Sequence, residues 1–168
     1  DWMAGGTYFV ARKIHMFAEM WDNLRLIEQE QTFGRDKRYG APLNVTAPTS
    51  GKDEFKPIDF KAKNKEGELE VPADSHIAIV NPEQNKGRWM LRRGYNYTEG
   101  SDALGRLSAG LFFIAFVRDP RTNFYPILDK MTQKDALSEY LQHQARALFA
   151  IPAGIGQSDT MVGQALFS

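Results

Sequence analysis

The chain has 168 residues, 42% of them hydrophobic and 25% charged, with 21 basic side chains set against 21 acidic ones and no cysteine. This length and composition suit one ordinary globular domain with a real core, and the missing cysteine excludes disulfides, thiolate metal sites and cysteine nucleophiles. Balanced charge argues against nucleic acid or an anionic membrane surface as partner, and the longest apolar run, GLFFIAFV, is strand length rather than the roughly 20 residues that span a bilayer, so a soluble protein is expected.

The N-terminal DWMAGGTYFVARKIHM has no initiator methionine, charged n-region or apolar h-region, and reads as the middle of a longer chain. Within it, Gly6 to Met16 mixes aromatic and β-branched residues in alternation after a Gly-Gly turn, which predicts a strand. Phe17, Met20, Trp21, Leu24 and Ile27 follow at helical spacing and Gly34 closes the run, which predicts one amphipathic helix. Residues 35–74 are rich in Lys, Gly, Pro, Asp and Asn without periodicity, a long insertion of the kind that is more often functional than idle. His76 then heads the short apolar run HIAIV. RWMLRRGYNY and GLFFIAFV predict a second and a third strand, the latter apolar enough to be buried on both faces. TQKDALSEYLQHQARALF opens with Thr132 and Asp135 in capping-box-like spacing and predicts a second helix; ALFAIP predicts a last strand, stopped by Pro152 and Gly154. The order is βαββαβ, so an α+β, ferredoxin-like antiparallel sheet is expected, with the insertion between the first helix and the second strand.

The only histidines are His15, His76 and His143. His15 lies near a strand end and His143 in the polar part of the expected second helix, where solvated histidines are ordinary. His76 sits where the long insertion meets an apolar run. No cysteine or second histidine is spaced to complete a zinc site, and a single-histidine metal site points to haem, where the porphyrin supplies four ligands. Arg92 and Arg93 are adjacent on an expected strand, so their side chains leave opposite faces and one is expected to point inward, at a cost that something anionic must offset. Leu111 and Phe113 share one face of the most apolar strand and read as core; Tyr8, Trp21, Trp89, Tyr95 and Tyr97 read as packing residues, with surface redox relays as the alternative. There is no P-loop, dinucleotide fingerprint, nucleophile elbow or metalloprotease helix.

Seven blocks, DWMAGGTYFVARKIHM, EQEQTFGRDKRYGAPL, DSHIAIVNP, MLRRGYNY, GLFFIAFVRDP, DALSEY and GQALF, occur in family order, and the chain resembles the C-terminal half of DyP-type (dye-decolourising) haem peroxidases, in particular the exported, iron-uptake-associated branch. The resemblance implies that residues 1–168 form the haem-binding, ferredoxin-like half of a two-half protomer, with haem b as cofactor. It implies that His76 is the proximal iron ligand and Arg92 the distal arginine. It places Leu111 and Phe113 in the distal apolar wall and makes Glu139 the acid on the far nitrogen of the ligand histidine. The final GQALFS resembles the family's usual end. The family's distal aspartate belongs to a Gly-x-x-Asp-Gly motif, which these residues lack, so full activity is expected of a parent protein that supplies it.

The function so implied is a haem peroxidase that uses hydrogen peroxide to oxidise phenols, dyes or another one-electron donor. The missing N-terminal half or a homo-oligomer would be its protein partner, and an exported location would follow from the branch. A second reading is a haem-handling protein that releases iron from haem. A third is a haem-free ferredoxin-like binding module, although the strands lack the aromatic and basic pattern of an RNA-binding sheet.

Overall fold

The computed structural model describes residues 3–157 and 159–164; residues 1–2 of the first block and 165–168 of the last lie outside them. Strand β1 (Thr7–Met16) is followed by two short helices, α1 (Ala18–Asp22) and α2 (Leu26–Phe33), and, beyond the insertion, by α3 (His76–Val80). Strands β2 (Leu91–Ser101) and β3 (Leu107–Val117) form a hairpin; α4 (Pro120–Asn123), α5 (Tyr125–Lys134), a 3-10 turn (Ala136–Tyr140) and β4 (Leu141–Ile151) complete the order. The sheet order is β2-β3-β1-β4, with β3 antiparallel to both β1 and β2, the α+β, ferredoxin-like arrangement expected.

Two expectations from the pattern are corrected. The helix expected from Phe17 to Gly34 is two helices, because the Arg25 amide that would continue the first donates to Glu28 Oε2 at 2.9 Å, and the Trp21 carbonyl accepts from Gln29 Nε2, also at 2.9 Å. The helix expected from Thr132 onward ends at Lys134, and residues 141–151, rich in helix-forming Leu, Gln, Ala and Arg, are instead the strand beside β1. Pairing within a sheet outweighs intrinsic propensity there, and His143 is a strand residue. The HIAIV run is helical.

The insertion is ordered by its own polar side chains. Arg35 Nη1 donates to the Gly40 and Glu54 carbonyls at 2.6 and 3.0 Å, and Asp53 Oδ2 accepts the Thr49 and Ser50 amides at 2.7 and 3.0 Å. Within it Ala41 and Val71 are buried. At these positions side chains take the backbone partners that a ladder would otherwise supply.

The Cα positions group into two compact units. One holds residues 1–16, 89–126 and 142–168, which include the sheet and α4. The other holds residues 17–88 and 127–141, which include α1–α3, the insertion and α5. In the sheet unit Val10, Ile14, Ala115 and Val117 are buried; in the helical unit Ile79, Ile127 and Leu137 are.

Candidate functional site

The helical unit is built to hold His76. Ser75, fully buried, anchors the approach: its amide and hydroxyl both donate to the Pro72 carbonyl, at 3.1 and 2.6 Å, and its own carbonyl accepts the Ile79 amide to start α3. The backbone beside it is tied again where the Ala136 amide donates to the Asp74 carbonyl at 3.0 Å. Gly34, the left-handed C-cap of α2 at φ +80°, presses on the same segment; a Cβ there would lie 2.7 Å from Ile77 Cγ1 and 2.8 Å from Ser75 Oγ. A side chain at position 34 is excluded both by conformation and by space.

His76 Nδ1 lies 2.7 Å from Asp135 Oδ2; the Asp135 side chain is 1% exposed and the imidazole 22%. Asp135 Oδ1 accepts the Leu137 amide at 3.0 Å, capping the 3-10 turn. An ionised carboxylate can only accept, so a neutral imidazole facing it carries its proton on Nδ1 and keeps on Nε2 the lone pair that a metal needs. Phe33 meets the imidazole edge-on, centroids 6.2 Å apart, and Trp21 packs edge-on against both Phe33 and Tyr140. Trp21 is thus a packing residue.

The acid that meets Nδ1 is Asp135, whereas Glu139, the residue expected there, is exposed on the 3-10 turn. Sequence reading noticed Asp135 only as a cap. A capping aspartate commits one oxygen to the backbone and keeps the second free, and that free oxygen is the signal that was available. Among the described residues no group of three His, Cys, Asp or Glu is placed to hold a metal ion, so a metal on His76 must bring its other ligands, as iron in a porphyrin does.

The sheet unit carries the other residues. The register pairs Arg92 with Ala115, Gly94 with Phe113, and Asn96 with Leu111. Period-two alternation therefore puts Arg92, Leu111 and Phe113 on one face and Arg93 on the other. A Cβ on Gly94 would meet Leu111 Cδ1 at 2.7 Å, which agrees with that facing. Leu111 and Phe113 are half-buried. The inward arginine expected at 92 or 93 is not found. Both are exposed, and Arg93 lies over the Tyr95 ring at 5.2 Å. The buried guanidinium is Arg12 of β1, 8% exposed, which sequence reading missed. A cavity of about 530 Å³ in this unit, lined by Met3, Gly5, Thr7, Trp89, Leu91 and Phe116 among others, contains none of the predicted site residues.

The chain matches the family model "Dyp-type peroxidase, C-terminal" over residues 1–156. It is 39% identical over 153 residues to a dye-decolorizing peroxidase of Thermobifida fusca, covering 90% of this chain and 34% of that protein. It is 34% identical over 167 residues to a deferrochelatase of Yersinia pestis, covering 98% and 36%. Among solved structures, an oxyferrous/water mixed complex of DtpA from Streptomyces lividans superposes with a TM-score of 0.91 at 40% identity, over 99% of this chain and 44% of that one. A DyP-type peroxidase from Cellulomonas bogoriensis gives 0.85 at 33% identity, over 96% and 43%. The chain thus spans well under half the length of the relatives it matches, and it belongs to the family of Dyp-type peroxidase C-terminal domains.

Proposed function

We propose that these residues are the haem-binding C-terminal half of a DyP-type peroxidase, with His76 as the iron ligand. The observation that carries this reading is the 2.7 Å contact between His76 Nδ1 and the buried Asp135 carboxylate, which leaves Nε2 as an electron-pair donor. Haem b, when bound, would supply the iron at which hydrogen peroxide is reduced with electrons drawn from a donor.

The rest is the work of this chain's side chains. Asp135 keeps the proton on Nδ1 and raises the basicity of the ring, which increases electron donation from Nε2. Arg92 is aimed, in this reading, at the peroxide, where a fixed positive charge stabilises the negative charge that develops on the departing oxygen. It takes no proton, since arginine stays charged in proteins. Leu111 and Phe113 keep that space apolar and exclude water. The group that moves the peroxide proton comes from outside these residues, which have no Gly-x-x-Asp-Gly motif. Activity is accordingly assigned to the full-length protein, and the partner is its N-terminal half or a second copy. An exported location is what the resemblance to the iron-uptake-associated branch implies, and the deferrochelatase relatives support one further reading, release of iron from haem.

The test is a haem titration of the full-length protein, followed through the Soret band, for wild type and His76→Ala. Saturable binding in the wild type that is lost in the variant is expected; equal binding by both overturns the ligand assignment. Free protoporphyrin appearing without peroxide turnover would select the iron-release reading.

A further inference from the structure

The cavity of the sheet unit belongs to the sheet face opposite Arg92. Leu91 and Phe116 stand across from one another in the β2–β3 ladder, one step from the Arg92 and Ala115 pair, so period-two alternation turns them to the other side. The volume of about 530 Å³ falls within the roughly 300–1,000 Å³ of small-molecule sites. The turn through Gly5 and Gly6 is pressed against the end of β4, since a Cβ on Gly6 would lie 2.6 Å from the Ile151 carbonyl oxygen. Trp89 lines the cavity as well, and its carbonyl accepts Asn123 Nδ2 at 3.2 Å, which ties its backbone to α4. Its indole, read from the sequence as packing, is instead 65% exposed and meets no other ring among the described residues. Leu91 is 65% exposed too. Two large apolar side chains open to solvent at one cavity mark a ligand site rather than a core.

Among the described residues the lining has two polar side chains, Thr7 and Arg118, and no acid. Thr7 Oγ1 donates to the Val117 carbonyl at 3.1 Å, so its proton is taken. Arg118 follows the last residue of β3 and is exposed, and among the described residues no carboxylate pairs with it. Asp119, its neighbour in sequence, is spent on Arg121, whose Nη2 and Nε reach the carboxylate at 2.8 and 3.0 Å. An open indole, aliphatic and aromatic walls and one uncommitted guanidinium are complementary to a flat aromatic ring that carries an acid group.

We propose that this cavity binds small aromatic anions, fused-ring carboxylates or sulfonates, with Trp89, Leu91 and Phe116 against the ring and Arg118 paired with the acid group. The site goes beyond the haem reading and does not depend on it: its lining is wholly within the sheet unit, and binding there needs neither His76 nor iron.

The experiment is isothermal titration calorimetry of the full-length protein at neutral pH and low salt, with haem added first to saturation so that the cofactor site is closed to the added compounds. Naphthalene-2-sulfonate and the uncharged 2-naphthol share the ring and differ in the charge. Wild type, Arg118→Ala, Trp89→Ala and Arg106→Ala are compared; the last removes the same charge in the β2–β3 turn, where Arg106 pairs with Asp102, away from the cavity. Wild type is expected to bind the sulfonate about fivefold more tightly than the naphthol, the size of an exposed ion pair. Arg118→Ala is expected to lose that preference and keep its affinity for the naphthol, and Trp89→Ala to weaken both compounds by about 3- to 10-fold. Arg106→Ala is expected to match wild type. A wild type that binds neither compound, or both alike, overturns the proposal without involving any variant. So does equal weakening of the sulfonate by Arg118→Ala and Arg106→Ala, which is the result of general charge attraction, and so does unchanged affinity in Trp89→Ala.

Discussion

Gly34 and Ser75 are packed so closely that a single added carbon on the glycine would lie 2.8 Å from the serine hydroxyl. The C-terminus of α2 is thereby a wall for the turn that launches His76. Gly34→Ala adds positive-φ strain of about 1 kcal/mol to a clash of about 1–3 kcal/mol. Gly67, at φ +85° with open space wherever a Cβ would stand, is the control. Gly67→Ala is expected to cost only the strain and leave haem affinity alone, whereas Gly34→Ala lowers both stability and affinity, as read by denaturant unfolding and Soret titration.

Asp135 and Glu139 are separable by mutation. Asp135→Asn keeps the shape of the side chain but removes the charge that fixes the His76 tautomer, so the iron reduction potential rises and peroxide reaction slows by about 10- to 100-fold. Glu139→Gln, at a residue that leaves the His76 Nδ1 contact to Asp135, is expected to change neither quantity. A spectroelectrochemical titration and stopped-flow mixing with peroxide check both; a larger effect at Glu139 would restore the sequence-based assignment.

The two adjacent arginines give a test of strand facing. Arg92→Ala is expected to retain haem and slow its reaction with peroxide by about 100- to 1,000-fold, the cost of removing a preorganised charge. Arg93, on the other face and over Tyr95, is expected to tolerate alanine with rates within about twofold, since exposed pairs of this kind contribute little. Equal losses at both positions would mean that the register does not decide their roles.

Acid stability reads out the insertion. Asp53 is held at about 2, below its ordinary 3.8, by the Lys56 ammonium first and then by the Thr49 and Ser50 amides. A depressed carboxyl stabilises the fold fully above the unfolded value and loses that contribution as the pH falls from about 4 towards 2. Melting temperatures measured across this window should therefore fall more steeply in wild type than in Asp53→Asn; parallel curves would show that Asp53 does not govern the insertion.

How much could be read beforehand differs by element for physical reasons. β1 and the β2–β3 hairpin were legible because alternation and β-branched content agree with their final pairing. Of residues 141–151 only the ALFAI end was legible as strand, since LQHQAR is made mostly of good helix formers and its pairing beside β1 makes it a strand. His76 and Arg92 stood out through family blocks, not through their own patterns. Asp135 was hidden by its second duty as a cap, and Arg12 by strand alternation, in which VARKI gives no sign of which polar residue faces inward. A buried cation declares itself only when the search for its partner fails.

Asp135 spends one oxygen on the Leu137 amide and the other on the imidazole. A pull on either side is felt on the other, because both bonds draw on the same carboxylate charge. Hydrogen exchange at the Leu137 amide is consequently a local reporter of what occupies the far nitrogen of His76, readable from the protein backbone without any optical signal from the cofactor.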